Sequence, residues 1–225
     1  MIVKFSDYFG GTTEVDMDEE ARWTAIEAER RGLVELLADL TPQQWEAQSL
    51  CSEWRVRDVA AHLAMTPSGF SAGTLVAGMV RARGDVWAFG RDLARGHAVG
   101  PTGEIVAELD RDAAARTMPF VTNPRNILMD VLVHGQDIAV PLGIERTMPL
   151  PAAVAAFERV WQMGWPFHAR RRLRDFRLVA TEGVLEVGAG THVEGRVQDL
   201  LLLATGRTAA AALRLRGPGV ELLPA

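Results

Sequence analysis

The spacing of apolar residues changes once along this chain, and the change decides the fold class. Up to about residue 173 they return at three- and four-residue steps, and from Phe176 onward they fall into short runs punctuated by glycine and proline. A helix buries every third or fourth residue and a strand every second, so a pattern written for one element does not serve the other. The chain is therefore expected to be α+β, with a helical domain over residues 1–147 and a small α+β domain over residues 148–225. No internal repeat or low-complexity segment interrupts this order.

The helical part divides at its caps and breakers. Residues 1–16 have no period and are expected to form an irregular arm, whereas Trp23, Ile26, Arg30, Leu33, Leu37 and Leu40 make one long amphipathic stripe. Thr41 before Pro42 restarts a short turn of helix as N-cap and first position. A helix over residues 56–65 stops before Pro67. The next, from residue 68 to about 95, is expected to be interrupted near Gly84, with Phe70, Leu75, Met79, Trp87 and Phe89 as inward candidates. Helices are expected over 103–116, from Asn123-Pro124 to Pro141, and over 149–173. Beyond these, runs at 176–180 and 184–187 flank Thr181-Glu182-Gly183, and runs at 213–216 and 220–223 flank Gly217-Pro218-Gly219, so two hairpins are expected around a helix over 197–204.

Chemistry concentrates in Asp130-Val-Leu-Val-His134-Gly-Gln-Asp137. An acid and a histidine four apart lie one helical turn above each other, a two-ligand arrangement for a divalent ion. His62 shares its apolar stripe with Val59 and Leu63 and offers a third ligand, which would leave one coordination position open as in catalytic zinc sites. The same residues also read as a salt-bridged pair on a helix surface and a core histidine bonded to backbone. Asp137, three residues past His134, can orient that imidazole from behind or bond to neighbouring backbone. Cys51 precedes a helix, where a thiol can become nucleophilic, but a buried inert thiol is the more common case. Trp54 reads as a packing anchor, His97 as a loop residue without a role, and Arg170, Arg171 and Arg172 as a solvated helix end.

Composition narrows the function classes. With 48% hydrophobic and 24% charged residues the protein is an ordinary globular one. A net charge of −5 with both signs interspersed argues against a nucleic-acid partner. A lone cysteine closes no intramolecular disulfide, and the opening Met1-Ile2-Val3-Lys4 lacks the pattern of a secretory signal, so a cytoplasmic protein is expected. No apolar run approaches the roughly 20 residues that span a bilayer, and no membrane partner is expected.

Three stretches together resemble the mycothiol-dependent maleylpyruvate isomerase family of actinobacteria: Leu50-Cys51-Ser-Glu-Trp54-Arg-Val-Arg-Asp58-Val-Ala-Ala-His62-Leu63, Leu132-Val-His134-Gly-Gln-Asp137 through Gly143, and Val193-Glu-Gly195 through Gly206-Arg207. The resemblance implies a DinB-like four-helix bundle with a small α+β domain after it. It further implies metal ligands at His62, Asp130 and His134, with Asp130 standing where the isomerase carries Glu. On this resemblance the protein is expected to be a metal-dependent enzyme, with zinc as the metal and mycothiol as thiol cosubstrate. It would act by isomerisation or by thiol transfer to a small electrophile, as a monomer or homodimer. A non-catalytic metal- or ligand-binding DinB-like module is the alternative. Catalytic residues beyond the ligands are not assigned.

Overall fold

The computed structural model describes residues 17–224 apart from 70 and 121, together with all their side chains except those of residues 72 and 87. The expected irregular arm, Phe70 and the Trp87 side chain lie outside the described residues. The chain divides into two compact units, one of Trp23–Arg146 and the other of Thr147–Ala225 with residues 17–22.

Helix α1, Glu19–Ala38, buries Trp23, Ile26, Arg30, Leu33 and Leu37, the three- and four-residue stripe read from the sequence. α2, Pro42–Trp45, opens on a capping box in which the Thr41 hydroxyl accepts the Gln44 N–H and the Gln44 side chain accepts the Thr41 N–H. α3, Val56–Met65, starts where buried Asp58 reaches back to the backbone N–H of Arg55 at 2.9 Å. α4, Ala72–Arg81, and α5, Val86–His97, are separated by the break near Gly84, where Arg83 and Gly84 both take positive φ. Of the inward candidates here Phe89 is buried, while Leu75 and Met79 are only half-buried. α6 spans Thr102–Arg111 and α7 spans Pro124–Ala139, its first turn capped by the Asn123 side chain. α3 is central, since it packs on α5, α6 and α7.

Two arginines, Arg30 buried and Arg146 half-buried, brace this unit. Arg30 donates to the carbonyls of Ala113 and Ala115 at 3.3 and 2.9 Å, tying α1 to the chain that leaves α6. Arg146 runs between α1 and α7, and donates to the Glu29 carboxylate at 2.7 Å. A Cβ on Gly32 would lie 3.2 Å from its guanidinium and one on Gly135 3.1 Å, so glycine at both positions makes the passage.

In the second unit, α8, Leu150–Gln162, packs on a later helix, α10, Val197–Ala204. The single helix expected over 149–173 is instead two: α8 ends at Gln162, and α9, Ala169–Arg172, starts only after the Gly164-Trp165-Pro166 stretch, where glycine and proline both oppose helix continuation. Arg172 turns inward and donates to the carbonyls of Phe167 and of Leu203 and Ala204 at the end of α10, while Arg170 and Arg171 are exposed.

The sheet has the order β2-β1-β3. β1, Phe176–Ala180, pairs antiparallel with β2, Glu186–Gly188, in the first expected hairpin, with Leu178 opposite Val187. β3, Thr191–Gly195, is a strand that the sequence pattern does not announce, and it pairs parallel with β1. The second hairpin does not form. Arg216 instead makes an isolated bridge to Glu194 of β3, with both N–H···O distances 2.8 Å, and 220–222 is a 3-10 turn after α11, Thr208–Ala212. Gly217-Pro218-Gly219 does bend the chain. Its upstream arm answers a strand far away in sequence, and proline removes a donor that a local hairpin would need.

Candidate metal centre

α3 and α7 bring His62, Asp130 and His134 together. One ligand atom from each lies within 4.8 Å of the others. His62 Nε2 is 3.0 Å from Asp130 Oδ2 and His134 Nε2 is 3.4 Å from Asp130 Oδ1, so one carboxylate meets both imidazoles, each through its ε nitrogen. The placement follows from helix geometry: the four-residue spacing stacks Asp130 and His134 on α7, and the contact of α3 with α7 sets His62 opposite them. Their side chains retain 27, 27 and 12% exposure for His62, Asp130 and His134 respectively, so the cluster is sheltered but not sealed from solvent.

The δ nitrogen of His134 points the other way. It lies 2.7 Å from Oδ2 of Asp137, whose side chain is fully buried. The same Oδ2 accepts from Cys51 Sγ at 3.1 Å, and that sulfur is 3.9 Å from His134 Nδ1. The Cys51 turn is built before α3. Ser49 Oγ donates to the Trp54 carbonyl at 2.7 Å and accepts the Cys51 N–H at 3.1 Å, the Trp54 N–H donates to the Cys51 carbonyl at 2.9 Å, and the Leu50 N–H donates to the Asp137 carbonyl at 3.1 Å. Trp54 then lies against the cluster, with its ring centroid 5.2 Å from that of His62 and 5.7 Å from that of His134.

Electrostatics follow from this packing. Burial pushes the Asp130 carboxyl up, but His62 and His134 outweigh it and hold the group well below the usual carboxylate range. Burial likewise lowers His134, yet Asp130, with the hydrogen bonds that His134 makes to Asp137 and Cys51, raises it well above 6.5. A carboxylate that stays ionised between two imidazoles, one of them oriented from behind by a second carboxylate, is a donor set suited to a divalent cation.

His62, Asp130, His134 and Asp137, all candidates from the sequence, are thus neighbours in the structure. The contact of Cys51 with Asp137 is not visible in the sequence, nor is the position of Trp54 against both imidazoles, which adds to its packing role. No periodicity reports either fact, because the turn and α7 are 86 residues apart at this contact. His97 is corrected: it ends α5 rather than lying in a loop, and its Nε2 is 2.5 Å from Glu108 of α6.

Fold and cluster define an α+β protein whose helical unit presents a histidine–carboxylate centre. Residues 26–119, somewhat under half of the chain, match the family model of the mycothiol maleylpyruvate isomerase N-terminal domain. Two solved structures resemble it: a crystal structure of a histidine-to-alanine mutant of the mycothiol-dependent maleylpyruvate isomerase, at 14% identity with a TM-score of 0.61, and a crystal structure of the mycothiol-dependent maleylpyruvate isomerase, at 18% and 0.57. Each likeness covers 88% of this chain and 92% of the other, and at these identities it speaks for the fold. Comparison with curated protein sequences gives no match. The family match contains His62 but ends before α7, so Asp130 and His134 rest on geometry. Among the described residues no helix is long and apolar enough to cross a membrane.

Proposed function

We propose that the protein is a metal-dependent enzyme that uses a low-molecular-weight thiol, mycothiol in keeping with the family model it matches, to isomerise a small electrophilic substrate or to transfer the thiol to one. The observation that carries this reading is the convergence of His62, Asp130 and His134 within 4.8 Å. These three would hold the ion, and zinc suits two imidazoles and a carboxylate with a position left open. The chemistry the ion would supply is stabilisation of a thiolate, since a free thiol with pKa near ~8.5 is mostly protonated at neutral pH.

The chain's own residues do the rest. Asp137 receives the His134 Nδ1–H, which leaves Nε2 as the ligating nitrogen. Asp130 supplies the negative charge that lowers the cost of placing a cation between two helices. Trp54 covers the two imidazole rings and limits water around them.

Metal analysis of the purified protein followed by calorimetry with mycothiol tests this reading. Binding should release a proton and strengthen as pH rises toward the thiol's own pKa, and thiol-dependent turnover should accompany it with maleylpyruvate or a simple electrophile. Metal without thiol binding would leave the non-catalytic metal module as the better account. No stoichiometric metal at all would remove both.

A further inference from the structure

We propose that Cys51 is a positioning residue for His134 and acts through Asp137. The inference rests on the reading that His134 ligates through Nε2. That ligation requires the Nδ1–H to point steadily at Asp137, and a carboxylate is free to turn about its terminal torsion unless more than one contact holds it. Here Oδ2 of Asp137 is held from two directions, by His134 Nδ1 at 2.7 Å and by Cys51 Sγ at 3.1 Å. The carboxylate is fully buried, and a buried anion with its lone pairs unanswered is costly, so each donor to it matters.

The thiol does not depend on its own rotamer alone to stay there. The Leu50 N–H to Asp137 carbonyl bond fixes the neighbouring backbone to the same residue of α7, and Ser49 Oγ fixes the Cys51 N–H. Sulfur also suits the task by being a weak donor. It steadies Oδ2 while leaving most of its accepting strength for His134, and at 3.9 Å from Nδ1 it does not displace that partner. In the sequence Cys51 reads as an inert or a nucleophilic thiol. The geometry assigns it to neither, since its contact is with the carboxylate that holds a metal ligand.

Cys51→Ala, Cys51→Val and Cys51→Ser separate the donor from the space it fills. Alanine removes both, valine restores volume without a donor, and serine restores a donor. Zinc dissociation constants of the full-length variants should rise about tenfold for alanine and valine alike, the lower end of the effect of an outer partner, with serine within about threefold of wild type. Proton NMR supplies a readout that mere packing would not move. The downfield Nδ1–H of His134 should exchange slowly with solvent in wild type and Cys51→Ser, and broaden in the other two, with or without zinc. If alanine and valine bind zinc as wild type does and the Nδ1–H is unmoved, Cys51 only fills space and the proposal is wrong. A sulfur-to-metal charge-transfer band in cobalt-loaded wild type that vanishes in Cys51→Ala would make Cys51 a ligand and overturn it as well. A wild-type protein that binds no zinc would refute the metal reading, and the Nδ1–H comparison would still decide the role of Cys51.

Discussion

The two units bury polar groups for different purposes. In Thr147–Ala225 two buried polar side chains serve the backbone, Gln198 accepting the Met148 N–H at 3.1 Å and the Thr205 hydroxyl donating to the Leu201 carbonyl at 2.9 Å, and buried Asp199 faces an arginine, Arg214, at 3.6 Å. Trp23–Arg146 holds more carboxylates, and they fall into two kinds. Glu29 and Asp58 are answered by arginines, whose charge no ordinary pH removes. Asp130 and Asp137 are answered by imidazoles, a side chain whose ring nitrogens are also common ligands of divalent metals. Burial of a charge thus says little about function on its own. The chemistry of the partner separates a brace from a site.

The largest test of that contrast removes an imidazole. His62→Ala or His134→Ala should abolish stoichiometric metal as measured by elemental analysis, while Asp130→Glu keeps it. Removing an arginine instead should touch stability and spare the ligands. Arg146→Ala leaves Glu29 sheltered without its partner, and a loss of about 3 kcal/mol in chemical denaturation is expected. Metal affinity unaffected after correction for folding would support the division, whereas loss of metal in Arg146→Ala at full foldedness would break it.

Asp137→Asn should weaken metal binding by about 10- to 100-fold, between the two extremes, because it alters the group behind a ligand rather than the ligand. The pH dependence sharpens the same point. Asp130 is held below its usual 3.8, so its stabilisation is present above that value and is lost as pH falls below it. His134 is raised above 6.5, so its stabilisation is complete below 6.5 and is lost as pH rises through the raised value. Thermal melts with a chelator should therefore show this cluster contributing most between these two values. Zinc should reverse the alkaline side, since a bound cation needs His134 without its extra proton. The smallest effect is expected from truncation near residue 147: we expect the helical fragment to melt cooperatively and to retain its metal, and circular dichroism with substantial β structure would count against that boundary.

Much of the helical unit and its site is legible in the sequence because the signals are local. Asn123 with Pro124 marks the start of α7, and a four-residue step stacks Asp130 on His134. What escapes is non-local. β3 pairs in parallel with β1, and β2 lies between them in the chain, so no local turn announces the pairing of Thr191–Gly195. The runs around Gly217 look like a hairpin because glycine and proline report a bend but not which strand the bend will meet. Cys51 joins the site through a turn whose hydrogen bonds are nearly all between neighbours, yet whose destination is α7.

The passage of Arg146 between Gly32 and Gly135 has an evolutionary side. Any side chain at either glycine would compete with the guanidinium for space, and loss of the guanidinium would leave Glu29 without its counterion. The three positions thus behave as one heritable unit, in which a change at one is tolerated only beside a change at another. Among relatives that share this bundle, an alanine at position 32 or 135 should travel with a smaller residue at position 146 and with a neutral one at position 29. In the laboratory, the penalties of Gly135→Ala and Arg146→Ala should combine to much less than their sum.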